Sequence, residues 1–261
     1  MTGRIVAETA GPLARLVFDN PERRNAVSLE MWREVEQVLA RFAADAEVRV
    51  LVVTGAGDKT FVSGADISKF ESERASRDAV AEYNATGERA YSALHAFPKP
   101  TIARIRGACV GGGVNLAACC DLRLCGERSR FAVPAAKLGL GYGLNNIARL
   151  ADVIGTARAM EMLYTARTFA ADEAAGFGLV HRVVPEDRLD GAVDEYVEMI
   201  AGNAPLTLKT VKAVVGELRK DLAERDLDKL QRLVDACFES RDYVEGRRAF
   251  MAKRKPEFTG T

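Results

Sequence analysis

The sequence predicts an α/β fold, because short apolar runs alternate with helical patterns over residues 1–200 of the 261-residue chain. From Pro205 onward the apolar residues recur only at helical spacing. Two turns of glycine and other small residues follow predicted strands, at residues 63–66 and 111–113. We therefore predict an α/β core over residues 1–200 and a helical region over residues 201–261.

The first predicted elements are a β-hairpin and a helix. The hairpin comprises residues 5–9 and 14–18, which flank the turn dipeptide Gly-Pro. Ser28 is a predicted N-cap, because its hydroxyl can accept a hydrogen bond from a free amide of the next turn. The helix that follows it is predicted over residues 29–44, with apolar residues on one side.

The middle of the chain alternates strands and helices in the same way. Residues 48–54 predict a buried strand, and residues 75–97 predict a long helix that ends before Pro98. Three further strands and three C-terminal helices are predicted. The strands span residues 101–106, 122–125 and 179–184, and the helices span residues 207–220, 222–239 and 243–253.

Charge and cysteine content narrow the class of protein. The chain has 37 basic and 37 acidic residues, so its net charge predicts neither a nucleic-acid nor a membrane partner. It has no apolar run of the roughly 18 residues that a membrane span needs, and residues 1–11 lack the apolar core of a secretory signal. The five cysteines are odd in number and two are adjacent, which indicates reduced thiols rather than disulfides or a metal site. We predict a cytoplasmic protein.

The glycine turns carry the most specific chemical prediction. Gly111, Gly112 and Gly113 open an apolar helix, and the amides of a first helical turn have no internal partner. Such amides, together with the helix dipole, can hold negative charge. The turn at residues 63–66 could aim a second amide at the same point, as chemistry that develops charge on a carbonyl oxygen requires. A tight turn or a close packing contact explains the glycines equally well.

Other common catalytic motifs are absent from the sequence. The run Gly55-Ala56-Gly57 lacks the third glycine of a dinucleotide fingerprint, because Thr60 stands in its place. There is no Walker A motif and no Gly-x-Ser-x-Gly elbow. The two histidines, His95 and His181, are interpreted as packing or surface residues, since no nucleophile accompanies them.

The ordered set of motifs resembles the crotonase superfamily, the enoyl-CoA hydratases and isomerases. The resemblance covers nearly the whole chain, and its motifs can be read in order. They are Asn25-Ala26-Val27-Ser28, Ser63-Gly64-Ala65-Asp66-Ile67, Phe97-Pro98-Lys99-Pro100, the Gly111–Gly113 run, Cys120-Asp121-Leu122-Arg123, Ala136-Lys137-Leu138-Gly139-Leu140, Gly178-Leu179-Val180 and Lys253-Arg254-Lys255-Pro256.

The resemblance implies a spiral of stacked β-β-α units and a homotrimer, or a dimer of trimers, whose last helices pack across subunits. Those helices could instead cover their own subunit. It also implies an acyl-CoA substrate, such as those of fatty acid metabolism, with the backbone N–H groups of Ala65 and Gly112 as an oxyanion hole. This pair would hold the thioester oxygen as an enolate forms. Coenzyme A is part of the substrate, so no separate cofactor and no metal are expected.

Coenzyme A contacts are likewise implied by the resemblance. Arg24 would meet a phosphate, although it could also be an ordinary surface arginine. Backbone groups of the second turn would meet the adenine. The positions that match the family's CoA-binding residues are Arg24, Ala26, Ser63, Ala65, Asp66, Ile67 and Gly112.

The carboxylates of family hydratases are missing from the matching positions. Asn115 and Ala135 stand where hydratases carry two glutamates, and Gly143 stands where dienoyl isomerases and aryl-CoA dehalogenases carry an aspartate. Hydration needs a base that activates water and an acid that protonates the α-carbon. Alanine supplies neither, and an amide does not titrate. The sequence therefore weakens the hydratase, isomerase and dehalogenase mechanisms.

The segment 138–143 resembles methylmalonyl-CoA decarboxylases of the family, which have a tyrosine matching Tyr142. Loss of CO2 from a malonyl-type thioester forms the enolate directly, with no base. Tyr142 is interpreted as a hydrogen-bond donor to the substrate carboxylate, as a proton donor, or as an aromatic lid. Asn115 is interpreted as a group that positions substrate or water, or as a polar core residue. Those decarboxylases carry a glutamate in place of Asn115 and a histidine in place of Ala65.

The sequence leaves three alternative functions open. The first is an acyl-CoA lyase, in particular a decarboxylase of a malonyl-type ester. The second is an enoyl-CoA hydratase of low or unusual activity, with water held by Asn115 and Tyr142. The third is an acyl-CoA-binding protein without catalysis.

Overall fold

Two sheets form the centre of the protein in a computed structural model that describes residues 3–66 and 76–261. The larger sheet has six strands in the order β1-β2-β3-β5-β7-β10, and the smaller has four in the order β4-β6-β8-β9. The strands are β1 (Arg4–Ala10), β2 (Leu13–Asp19), β3 (Val50–Gly55), β4 (Thr60–Val62), β5 (Thr101–Ile105), β6 (Ala108–Val110), β7 (Leu122–Gly126), β8 (Arg130–Ala132), β9 (Phe169–Ala170) and β10 (Arg182–Val184).

The helices surround these sheets and continue to the C-terminus. They are α1 (Leu29–Ala44), α2 (Arg77–His95), α3 (Gly112–Ala118), α4 (Leu144–Thr165), α5 (Ala171–Gly176), α6 (Leu189–Ala201), α7 (Pro205–Leu218), α8 (Leu227–Glu239) and α9 (Arg241–Met251). Within the described parts of the chain, no helix is long and apolar enough to cross a membrane.

The chain winds as a spiral of β-β-α units, as the resemblance implied. Strands β3, β5 and β7 are parallel neighbours in the larger sheet, and the strands that follow them, β4, β6 and β8, are parallel neighbours in the smaller sheet. A helix follows each of the pairs β5-β6 and β7-β8. Because each unit repeats this path, the turns that follow β4 and β6 are brought side by side.

Local sequence explains the ends of helix α1. Ser28 caps it, with its Oγ accepting a hydrogen bond of 3.3 Å from the Met31 amide. The apolar residues predicted on one side are buried against the larger sheet and helix α2, as expected for an amphipathic helix. The buried residues are Met31, Trp32, Val35, Val38, Leu39 and Phe42.

Most predicted elements agree with the structure to within two residues at each end, and two begin three or more residues later than the sequence predicts. The strand predicted over residues 179–184 begins only at Arg182, because the amides of Leu179 and Val180 donate to the Ala174 carbonyl and so continue the turn that ends helix α5. The helix predicted over residues 222–239 begins as α8 at Leu227. Asp226 interrupts it, since its carboxylate caps α8 by accepting from the Lys229 amide at 2.8 Å.

The last residues are tied back to the core through one arginine. The guanidinium of Arg49 donates to the carbonyl oxygens of Ala201 at 3.0 Å and Phe258 at 2.5 Å. Arg49 immediately precedes β3, so this contact joins the end of the chain to the centre of the larger sheet.

Candidate active site

A cavity of about 1310 Å³ opens where the turns after β4 and β6 meet. Its wall includes parts of helices α1 and α2, the segment before helix α4 and the start of that helix. Small-molecule sites are typically concave, largely apolar clefts of about 300–1,000 Å³, so this cavity has room for a larger ligand. The candidate residues Ala65, Gly112 and Tyr142 line this cavity.

The two glycine turns touch each other on the floor of this cavity. A Cβ atom on Gly64 would lie 3.2 Å from the Gly112 nitrogen, and a Cβ on Gly112 would lie 3.4 Å from the Gly64 Cα and 2.7 Å from the Tyr91 hydroxyl. Gly64 also has a φ of +95°, a conformation that favours glycine. A side chain on Gly64 would be strained and tight against the Gly112 nitrogen, and one on Gly112 would clash with the Tyr91 hydroxyl.

The backbone amides at this contact include two that donate to no partner in the described parts of the chain and belong to residues that line the cavity. They belong to Ala65 and Gly112, whereas the neighbouring amide of Gly111 donates to Ala132. The carbonyl in the same peptide as the Ala65 amide, that of Gly64, accepts from the Val27 amide at 2.8 Å. Because a trans peptide points its N–H opposite to its C=O, this bond fixes the direction of the Ala65 N–H.

The peptide that carries the Gly112 N–H is fixed in the same way. Its carbonyl, on Gly111, accepts from the Val114 amide at 3.1 Å and from the Tyr142 hydroxyl at 3.4 Å. Both amides thus belong to peptides held from the carbonyl side, and both residues line the cavity. Fixed, unpaired amides are suited to binding an oxygen on which negative charge develops.

Tyr142 lines the cavity and stays a neutral hydrogen-bond donor. Burial raises the pKa of its phenol above the ordinary value, and the nearby thiols of Cys109 and Cys119 raise it further. The phenol therefore keeps its proton well above neutral pH.

Asn115 lies behind the cavity wall rather than on it. Its side chain is buried, and its Nδ2 donates to Oδ1 of Asn146, a residue of α4 that does line the cavity, at 2.5 Å. The other amide atom, Oδ1 of Asn115, is buried with no hydrogen-bond partner among the described residues. A buried polar atom without a partner is unusual and calls for an explanation.

An ion pair that the sequence analysis did not identify stands next to Asn146. Arg149 of α4 contacts Glu88 of α2 with two guanidinium nitrogens, and Ser92 and Asn145 also donate to Glu88. Partial burial raises the pKa of Glu88, but the hydrogen bonds from Arg149, Ser92 and Asn145 outweigh it, so the net pKa is lowered. Glu88 is therefore an ionised carboxylate with several donors.

Three aromatic residues of the lining have their polar groups engaged by other described residues. The Trp32 indole donates to the Tyr83 hydroxyl at 3.1 Å, and that hydroxyl donates to the Val27 carbonyl at 2.8 Å. The Tyr91 hydroxyl donates to the Gly112 carbonyl at 3.1 Å. The rings of Trp32 and Tyr91 lie 4.7 Å apart, so this wall presents apolar surface to the cavity.

The positions expected to contact coenzyme A lie mainly on the cavity wall. Arg24 stands at one side with a left-handed φ of 54°, and the buried carboxylate of Asp66 lies 3.9 Å from the Arg23 guanidinium. Ile67 lies outside the described residues. The expected positions that line the cavity are Arg24, Ala26, Ser63, Ala65, Asp66 and Gly112.

The site residues that the sequence analysis missed each contact a partner that is far away in the sequence. Glu88 and Arg149 are 61 residues apart, and Trp32 and Tyr83 are 51 apart. No local pattern links either pair. The available signal was helical spacing on each helix separately, since Asn145 and Arg149 are four residues apart on one face of α4.

The β-β-α spiral, together with a large cavity at its two glycine turns, defines the class of protein. The family model described as enoyl-CoA hydratase/isomerase matches residues 8–261. The chain therefore belongs to the enoyl-CoA hydratase/isomerase family, also called the crotonase superfamily. Enzymes of this family act on acyl-CoA thioesters.

Relatives with assigned names cover the chain from end to end. The chain is 33% identical to crotonyl-CoA hydratase of Syntrophomonas wolfei, with 97% of each chain covered. It is also 33% identical to the peroxisomal Delta(3,5)-Delta(2,4)-dienoyl-CoA isomerase of Arabidopsis thaliana, with 96% of this chain and 94% of the relative covered. Among solved structures, an enoyl-CoA hydratase/carnithine racemase from Magnetospirillum magneticum superposes with a TM-score of 0.93 at 37% identity, over 100% of this chain and 97% of that one.

Proposed function

We propose that the protein is a lyase that acts on an acyl-CoA thioester through an enolate, and that it decarboxylates a malonyl-type CoA ester. The thioester oxygen binds the amide N–H groups of Ala65 and Gly112. The observation that carries this proposal is the pair of fixed, unpartnered amides where the two glycine turns meet. Preorganised donors of this kind stabilise an oxyanion more in the transition state than in the ground state.

The side chains near these amides favour a reaction that starts without a base. Asn115 and Ala135 supply no carboxylate, and Ala135 lines the cavity as a bare methyl group. Glu88 lines the cavity as well, but its carboxylate accepts hydrogen bonds from Arg149, Ser92 and Asn145 and its pKa is lowered, which makes it a weak base.

Decarboxylation makes the enolate with no proton transfer. The bond between the α-carbon and the carboxylate breaks, its electron pair stays as the enolate, and CO2 leaves. The α-carbon then takes one proton from water, which regenerates the thioester carbonyl. When substrate binds, the single O–H of Tyr142 turns from the Gly111 carbonyl to the carboxylate and donates to it before CO2 leaves. The apolar wall formed by Trp32 and Tyr91 keeps water from solvating that carboxylate.

Coenzyme A is held at the other side of the cavity. Arg24 provides a guanidinium for a phosphate, and the backbone around Ser63 and Asp66 provides polar groups for the adenine. Arg24 lines the cavity and stands beside Arg23, so two cations flank this opening. Guanidinium groups suit phosphate because they donate several hydrogen bonds in a fixed plane.

Hydration of an enoyl-CoA is the second candidate, and the named relatives favour it. Syntrophomonas wolfei crotonyl-CoA hydratase is 33% identical, and a probable enoyl-CoA hydratase of Rhizobium meliloti is 34% identical over 97% of each chain. In this reaction, water would have to be held by Asn115 and Tyr142 without the two family glutamates.

The test is mass spectrometry of the protein incubated separately with malonyl-CoA, methylmalonyl-CoA and crotonyl-CoA. We expect loss of CO2 from a malonyl ester and no hydration of crotonyl-CoA. Hydration of crotonyl-CoA without CO2 loss would replace the proposal by the hydratase function. Binding of all three esters without any turnover would leave an acyl-CoA-binding protein.

The proposal includes an oligomeric state and a location: the protein forms a homotrimer or a dimer of trimers in the cytoplasm. Large apolar side chains of residues 201–261 are exposed in the single chain, including Leu222, Phe250 and Met251, each more than 70% accessible. Large apolar side chains exposed in a single chain are expected to be covered in an assembly of subunits. Light scattering on the purified protein tests this, and a monomer at micromolar concentration would contradict it.

A further inference from the structure

One face of helix α2 carries three residues of the cavity wall. Tyr83, Gly87 and Tyr91 are spaced by four residues, so they lie on the same side of the helix. All three are buried and line the cavity. The Trp32 indole of helix α1 lies against this face, with its Nε1 3.7 Å from the position of a Cβ on Gly87. The indole therefore contacts the helix between the two tyrosines.

Tyr91 holds the turn that contains Gly112. Its hydroxyl donates to the Gly112 carbonyl at 3.1 Å. The peptide on the other side of Gly112 is held through the Gly111 carbonyl, which accepts from the Val114 amide at 3.1 Å. Glycine has wide conformational freedom, so the direction of its N–H depends on partners that hold both flanking peptides. Burial raises the pKa of the Tyr91 phenol, which keeps the hydroxyl a donor.

Tyr83 acts on the other turn through Val27. Its hydroxyl donates to the Val27 carbonyl at 2.8 Å, and the Asp66 amide donates to the same carbonyl at 3.1 Å. The Val27 amide in turn donates to the Gly64 carbonyl, and this bond fixes the direction of the Ala65 N–H. Tyr83 therefore holds the residue that holds this turn.

Trp32 joins the two tyrosines. Its Nε1 donates to the Tyr83 hydroxyl at 3.1 Å. An indole N–H can only donate, so the phenol hydrogen of Tyr83 is directed to the Val27 carbonyl. The ring of Trp32 lies 4.7 Å from the ring of Tyr91. Since close-packed rings limit each other's movement, the two hydroxyls are held at a fixed separation by one helix and one indole.

We propose that Tyr83 and Tyr91 are positioning residues that set the direction and the separation of the Ala65 and Gly112 amides. This inference rests on the proposed acyl-CoA site. Neither tyrosine has to touch the reacting atoms, because each holds one of the two turns from helix α2.

The physical reason is that both amides must meet one oxygen. A hydrogen bond weakens steeply when its donor is misaligned, and preorganised donors stabilise developing charge without reorganising. When Tyr142 turns to the substrate, the Gly111 carbonyl loses one donor, while Tyr91 keeps its bond to the next peptide. The tyrosines of helix α2 therefore preserve the geometry while charge develops.

The experiment measures the thioester carbonyl stretch of bound butyryl-CoA by infrared spectroscopy, with carbon-13 at the carbonyl to identify the band. Hydrogen bonds to a carbonyl oxygen polarise the bond and lower this frequency. The wild type is expected to shift the band below its position in water, and Tyr83→Phe and Tyr91→Phe are each expected to return it part of the way. With malonyl-CoA, each variant is expected to lower kcat about tenfold and to change KM by less than about twofold, because the direction of the donors matters most in the transition state.

Ser129→Ala is the matched control. The buried Ser129 hydroxyl also donates to a backbone carbonyl, that of Ile105 at 3.2 Å, and Ser129 lies away from the cavity wall. This variant is expected to lose stability in urea as the tyrosine variants do, and to keep the wild-type band and turnover. A tyrosine with only a structural role would behave in the same way. The ring stays in both phenylalanine variants, and if one of them does not fold, the other still tests its own turn.

The outcomes are distinct. A wild-type band position in both Tyr83→Phe and Tyr91→Phe overturns this inference while the acyl-CoA site stands, and a wild-type position in one of them removes that tyrosine from the role. A wild-type protein that does not bind butyryl-CoA, or binds it without a band shift, overturns the proposed site and this inference with it. A shifted band without CO2 loss from malonyl-CoA overturns the decarboxylase function alone, and the infrared comparison then decides this inference.

Discussion

The phenol oxygen of Tyr142 lies 3.4 Å from the carbonyl oxygen of Gly111. The peptide that contains this carbonyl also contains the Gly112 N–H, which is one of the two amides proposed to hold the thioester oxygen. Tyr142 has a single O–H, so in the proposal it supports this peptide in the free protein and turns to the acyl carboxylate when substrate binds.

Tyr142→Phe is expected to lower kcat for CO2 release by about tenfold to a hundredfold, because the ring remains and only the donor is lost. Binding of an unreactive acyl-CoA is expected to change by less than about threefold. Single-turnover mass spectrometry measures the first quantity and calorimetry the second. Unchanged turnover on the true substrate would remove Tyr142 from the reaction and leave it as a lid.

Gly112→Ala is expected to abolish turnover and to destabilise the fold by about 2 kcal/mol. The new Cβ would lie 2.7 Å from the Tyr91 hydroxyl, so the Tyr91 ring or the glycine turn must shift and the Gly112 N–H moves with it. Gly191→Ala is the matched control. Gly191 lies inside helix α6 with nothing within 4 Å of an added Cβ, and alanine there is expected to stabilise by about 0.5–1 kcal/mol.

Urea unfolding and turnover of both glycine variants check this expectation. If Gly112→Ala had wild-type turnover, the close approach of the two turns would have no part in catalysis.

Arg24→Ala is expected to weaken binding of acyl-CoA about tenfold, because a phosphate loses its guanidinium partner. Binding of the same acyl group on pantetheine, which carries no phosphate, is expected to stay unchanged. Calorimetry with both thioesters gives the comparison. An equal loss for the two ligands would mean that Arg24 acts on the shape of the site rather than on phosphate.

Glu88→Gln is expected to reduce stability at pH 7 by about 2 kcal/mol, between values typical of exposed and buried ion pairs. The pKa of Glu88 is lowered in the folded state, so its ionised form adds stability above the unfolded value of about 4.5 and loses that contribution as pH falls through the folded value. The difference between wild type and variant should therefore shrink below about pH 4.5.

Urea titrations from pH 7 to pH 3 measure this difference, with Glu36→Gln as a control. Glu36 pairs with the mostly exposed Arg89, and its loss is expected to cost less than about 0.5 kcal/mol. A Glu88→Gln difference that is constant across this pH range would contradict an ionised role for Glu88.

Local sequence was sufficient for much of the fold. The helix over residues 29–44 was predicted with the bounds that the structure has, because Ser28 and the apolar spacing are signals contained within one element. The strand at residues 179–184 was predicted too long, because the hydrogen bonds that keep Leu179 and Val180 in a turn come from helix α5. The division at residue 200, the trimer and the roles of the site residues stay predictions.

What the sequence by itself determined is the α/β class, the family and the identity of the residues at the two glycine turns. Motif order and local periodicity are properties of the chain alone, and they need no knowledge of which segments touch. The missing glutamates at Asn115 and Ala135 are likewise visible in the sequence.

Only the tertiary structure decided which groups act on one another. Glu88 and Arg149 meet across two helices that are 61 residues apart in sequence, and Tyr91 reaches the Gly112 carbonyl across 21 residues. The direction of a backbone amide depends on the partners that hold its turn, and the spiral of β-β-α units is what brings those partners into place.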